Sequence, residues 1–174
     1  MQMNEVKKLE LVKEINFEKP RSFVTYSLIG AIMLIITLLL LIQYQAKYSI
    51  ADCLIALILS FPTRYPHEYI HKLTLKKVFG INSTINYKRI NAVCIPDTPL
   101  TSMQLIINAL APLLLLTLAF ILLSFLHKVF LLIAIVHLFT CISDTSYVLQ
   151  AVKNKNSIFV DEGLSLKIYK AKKD

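Results

Sequence analysis

Glycine and proline are scarce in this chain, at 3 and 6 of 174 residues. The apolar runs are therefore rarely interrupted, and no internal repeat or low-complexity linker divides the sequence. Cysteine is also sparse. Cys53, Cys94 and Cys141 form an odd set, which implies no disulfide framework. Acidic residues are few, 11 against 19 Lys and Arg, for a formal net charge of +8. A nucleic-acid partner is not expected from that balance, because the basic residues form no stripe with interleaved aromatics.

What the chain does have is apolar residues, 56% of the total, and a mean hydropathy of +0.61. That is too apolar for an ordinary soluble domain. About four membrane spans can be read, each near the ~20 residues that cross a hydrocarbon core. They cover residues 23–42, 50–73, 103–126 and 129–149. The expected fold is an all-α integral membrane protein with a short cytoplasmic loop and tail. A small β-hairpin fits within 82–99, and 157–169 alternates well after an Asp161-Glu162-Gly163 turn. The domain reading is an N-terminal arm over 1–22, a four-span membrane unit over 23–149 and a tail over 150–174. The first apolar run is of span length and reads as a retained anchor rather than a cleaved signal.

Charge sets the orientation. Lys7, Lys8, Lys13, Lys19 and Arg21 precede the first span, and Lys72, Lys76, Lys77, Lys88 and Arg89 follow the second. Six more lysines lie in the tail, from Lys153 to Lys173, while the other two connections hold only Lys47 and Lys128. The positive-inside rule places both termini and the middle loop in the cytoplasm of a multi-pass cell-membrane protein.

Near the cytoplasmic end of the second span stands His67-Glu68-Tyr69-Ile70-His71. Residues four apart share a helical face, so His67 and His71 can aim at one metal ion, with Glu68 beside them as a general base. Ionisable groups at membrane depth are costly and usually functional. Zinc in such a site needs a third protein ligand. His67 lies 67 − 50 = 17 residues into its span and Asp144 lies 144 − 129 = 15 residues into another of the same direction. Asp144 is therefore the expected third ligand. Cys141, one turn away, is the alternative. His137, about 10 Å farther along a straight helix, is expected to be out of reach. Asn108 and Pro112 are read as cavity-lining, because Pro112 lacks the N–H that would bond the Asn108 carbonyl.

Several stretches, in order, resemble a known family: the His-Glu motif, Ala92-Val93-Cys94-Ile95-Pro96, the run from Asn108 to Leu113, Ser143-Asp144, and the tail from Val160 to Tyr169. The chain looks similar to the putative zincin peptidases, small bacterial membrane proteins similar to site-2 proteases. The resemblance implies zinc ligands at His67, His71 and Asp144, and a catalytic Glu68. The expected function is an integral membrane zinc metallopeptidase cleaving membrane-embedded or membrane-adjacent protein or peptide substrates near the cytoplasmic face. Two other classes stay open: a non-catalytic regulatory or immunity protein that keeps this fold, and a transporter accessory subunit.

Overall fold

The computed structural model describes residues 9–16, 48–88, 91–163 and 165–171. They form five helices and six strands: β1 (Leu9–Asn16), α1 (Ile50–Ser60), α2 (Arg64–Phe79), β2 (Ser83–Lys88), β3 (Asn91–Pro96), β4 (Leu100–Thr101), α3 (Ser102–Ser124), α4 (Val129–Thr140), α5 (Ile142–Lys153), β5 (Ile158–Asp161) and β6 (Ser165–Ala171). The strands build a four-stranded antiparallel sheet of order β1-β6-β5-β4 and a separate β2–β3 hairpin.

This overturns the expectation of an all-α protein with about four spans. The span read at 23–42 lies outside the described residues. The one read at 50–73 is two helices: α1 is 11 residues, too short to cross a bilayer, and α2 runs on to Phe79. Between them lies a turn over 61–63 that contains Pro62. The one at 129–149 is a pair, α4 and α5, bent by 47° at Cys141. Among the described residues α3 alone is a single helix long and apolar enough to cross a membrane, and the bent pair would make a second if it counts as one span.

Local chemistry fixes the element ends. Ser49 and Asp52 form a capping box that opens α1, and Thr101 and Gln104 form another that opens α3. Gly80 closes α2 at φ +68°, the left-handed region that glycine enters without steric cost. The Ile81 N–H then reaches the Leu75 carbonyl at 3.0 Å.

One core forms where the large sheet meets the helices. Leu100, Phe159, Leu166 and Ile168 from the strands pack with Leu75 of α2, Leu105 and Ala109 of α3, and Tyr147 and Ala151 of α5. A second, smaller cluster joins α1 and α4 through Ala56, Val129, Leu132 and Ile133. Around it the apolar side chains face outward, as with Leu54 and Ile58 of α1 and Leu114, Leu118 and Leu122 of α3. The β5–β6 turn leans on the hairpin. Gly163 has φ +86°, and a Cβ there would meet Val93 Cγ1 at 2.6 Å.

Candidate metal centre

Helix α2 carries His67 and His71 one turn apart, so both rings face the same neighbours, α3 and α5. Their Nε2 atoms lie 3.1 Å from each other. Asp144, in the first turn of α5, meets both: Oδ2 is 3.1 Å from His67 Nε2 and Oδ1 is 3.5 Å from His71 Nε2. All three side chains are largely buried.

The His71 ring is oriented from behind. Its Nδ1 lies 2.9 Å from the carbonyl oxygen of Asn108. That carbonyl is the one Pro112 leaves without a helical donor, since Pro112 sits inside α3 four residues on. A carbonyl only accepts, so Nδ1 donates and the neutral ring presents a lone pair at Nε2. Glu68 is held from the hairpin: the Cys94 backbone N–H donates to its Oε2 at 2.8 Å.

Across more than half its length, residues 60–159, the chain matches a family model described as "Putative zincin peptidase". The chain belongs to that family. No curated protein and no solved structure matches it.

Zincin peptidases take their name from zinc, and the residues here fit that ion. Tetrahedral zinc with bonds of about 2.0–2.1 Å sets its ligand atoms about 3.3 Å apart. The three contacts above run from 3.1 to 3.5 Å. Two imidazoles and a carboxylate are also the donor set of catalytic zinc sites. Asp144 Oδ2 is buried and makes no aligned hydrogen bond despite its closeness to His67. A buried carboxylate oxygen of that kind is costly unless a cation or donor meets it.

Other expectations separate here. Asn108 contributes its backbone carbonyl, while its side-chain Oδ1 is buried without a hydrogen bond. His137, expected out of reach of a metal held by His67 and His71, meets the other edge of the His67 ring: its Nε2 lies 3.2 Å from His67 Nδ1. The depth argument assumed a straight span, and the bend at Cys141 removes that assumption. Cys141 Sγ lies 3.8 Å from His67 Nδ1 and 3.6 Å from His137 Nε2. Thr117, which the sequence reading passed over, lies 3.1 Å from His137 Nδ1. The spacing of His137, Cys141 and Asp144 on one helical face was visible in sequence; the partnership with Thr117 on α3 carried no local signal.

Proposed function

We propose that the chain is a membrane zinc metallopeptidase in which His67, His71 and Asp144 hold the ion and Glu68 is the general base. The observation that carries this reading is the triangle of two Nε2 atoms and one carboxylate, 3.1–3.5 Å on its edges, with a glutamate between the two histidines in sequence. Bound zinc would polarise the scissile carbonyl and make water acidic enough to attack near neutral pH. Glu68 takes a proton from the attacking water as its oxygen bonds to the carbonyl carbon. The C–N bond then breaks, and Glu68 returns that proton to the departing amine nitrogen. The Cys94 N–H fixes one oxygen of the carboxylate and leaves the other for proton transfer.

The substrate in this reading is a membrane-embedded or membrane-adjacent peptide, unwound to expose its amide. Strand β3 pairs only with β2 among the described residues, and its Cys94 amide turns away from that partner toward Glu68. An extended peptide added along that edge would run beside the base. The outward apolar side chains of α1 and α3 support contact with lipid. Asn108 is 108 − 102 = 6 residues, about 9 Å, from the start of α3. The site would thus lie near the sheet end of that helix, which we place at the cytoplasmic face with both termini. The pairing of β1 with β6 is in keeping with those two strands lying on one side.

Zinc content and new protein N-termini, measured in membranes carrying wild type, Glu68→Gln or His67→Ala, test the assignment. Glu68→Gln should keep the metal and lower cleavage by on the order of 10²–10⁴-fold. Loss of zinc from Glu68→Gln as complete as from His67→Ala, or undiminished cleavage by Glu68→Gln, would overturn it.

A further inference from the structure

The opposite edge of the His67 ring faces a second set of donors. His67 Nδ1, His137 Nε2 and Cys141 Sγ are separated by 3.2, 3.6 and 3.8 Å. A tetrahedral ion with bonds of about 2.0–2.1 Å to nitrogen and 2.3 Å to sulfur requires about 3.3 Å between nitrogens and 3.6 Å from nitrogen to sulfur. His137 and Cys141 are at 1% exposure or less, and the His67 side chain is 12% exposed. The His137 ring is held from behind: Nδ1 can donate to Thr117 Oγ1 at 3.1 Å, which leaves Nε2 as a lone pair facing the sulfur and His67. Phe120 closes the apolar side, its ring 6.0 Å from that of His137.

We propose that His67, His137 and Cys141 form a second cation site, selective for a thiophilic divalent ion, that competes with the His67–His71–Asp144 site for the His67 ring. The competition follows from proton counting. A neutral imidazole has one lone pair and one N–H. With a cation at Nε2, the proton sits on Nδ1 and donates to His137 Nε2. With a cation at Nδ1, the proton sits on Nε2, 3.1 Å from the Asp144 carboxylate. Each state leaves one His67 nitrogen for the cation and the other for the proton without moving the ring, and each excludes the other.

Charge and softness decide which ion fits. Cys141 would bind as the thiolate, its proton passing to solvent as the metal enters. The thiolate and the nearby Asp144 carboxylate together balance a divalent charge away from water. A sulfur donor beside two imidazoles favours cadmium or zinc and disfavours magnesium, calcium and manganese.

The site does not depend on Glu68 or on cleavage, so it can fail separately from the peptidase reading. The purified full-length chain, stripped of metal, is titrated in separate samples with cadmium alone and with zinc alone, and followed by ultraviolet absorption and bound stoichiometry. Wild type should bind one cadmium per chain and develop the sulfur-to-cadmium charge-transfer band. Cys141→Ser should lose the band and still bind zinc through the other site. Asp144→Ala should keep the band at one equivalent. The wild-type and Cys141→Ser pair decides the matter even if Asp144→Ala does not fold. A band undiminished in Cys141→Ser, or no band in wild type, overturns the site. Two ions bound at once in wild type overturn the competition. Zinc absent from the His67–His71–Asp144 site with the Cys141 band intact would sink the peptidase reading and leave this one standing.

Discussion

The two ends of this molecule solve the burial of apolar side chains differently. Around the large sheet, Phe159, Leu75, Leu100, Leu166 and Ile168 are fully enclosed by the chain itself. Around α1 and α4 the enclosed set is small, and Phe125 and Leu126 at the far end of α3 are more than four-fifths exposed. The first end has the burial of a water-soluble domain, while the second leaves large apolar area for an apolar surrounding to cover. The metal centre lies close to where they meet. His67, His71 and Asp144 come from α2 and α5, and both helices pack into the sheet-side core through Leu75, Tyr147 and Ala151.

The largest effect should come from opposing the two ends directly. Phe159→Ala removes a fully buried ring and should cost about 3–5 kcal/mol in chemical unfolding. Leu118→Ala, on the outward face of α3, should fall within about 0.5 kcal/mol under the same conditions. Equal losses in the two variants would erase the distinction between the ends.

A smaller effect should come from the joint between the sheet and the hairpin. Gly163→Ala forces a positive φ on a residue with a Cβ and drives that atom into Val93. The expected loss is about 1–3 kcal/mol. Wild-type stability in Gly163→Ala would show that the turn does not press on β3.

The smallest is a matter of slope. Asp161, at the end of β5, accepts from the Gly163 N–H at 2.8 Å and from the Tyr147 hydroxyl at 3.1 Å. Burial nevertheless outweighs those bonds and raises its carboxyl from 3.8 to about 6. The folded state therefore holds this proton more tightly than the unfolded chain does. Its contribution is complete below about pH 4 and is lost as pH rises through 6. Asp161→Asn should flatten that segment of the stability profile, and an unchanged slope would assign it to another group.

How much of this could be read from sequence divides along the same line. The His67–His71 pair was legible because spacing of four is a local signal, and Asp144 was reachable by counting along two helices of like direction. The freed Asn108 carbonyl followed from Pro112 alone. The large sheet was not legible as a sheet. The alternation that puts Leu166 and Ile168 on one face was visible, but β6 pairs with β1 across the whole length between Leu9 and Ala171. Nothing local names so distant a partner. The apolar run at 129–149 hid its own bend, since Cys141 is neither proline nor glycine, and with it the approach of His137. The Cys94–Glu68 hydrogen bond uses a backbone amide, which any residue there except proline would supply.

Strand order has a consequence for synthesis. β6, at the centre of the large sheet beside β1 and β5, is translated after every residue of the metal centre, and the Gly163 turn that abuts β3 immediately precedes it. On the ribosome, His67, Glu68, His71 and Asp144 all emerge before the element that joins the two outer parts of the sheet. A nascent chain thus carries all four of these side chains for an interval during which β1 lacks its β6 partner and the β3 strand that bonds Glu68 lacks the Gly163 turn. The cluster of His67, Glu68, His71 and Asp144 would mature last, once the β5–β6 hairpin has docked.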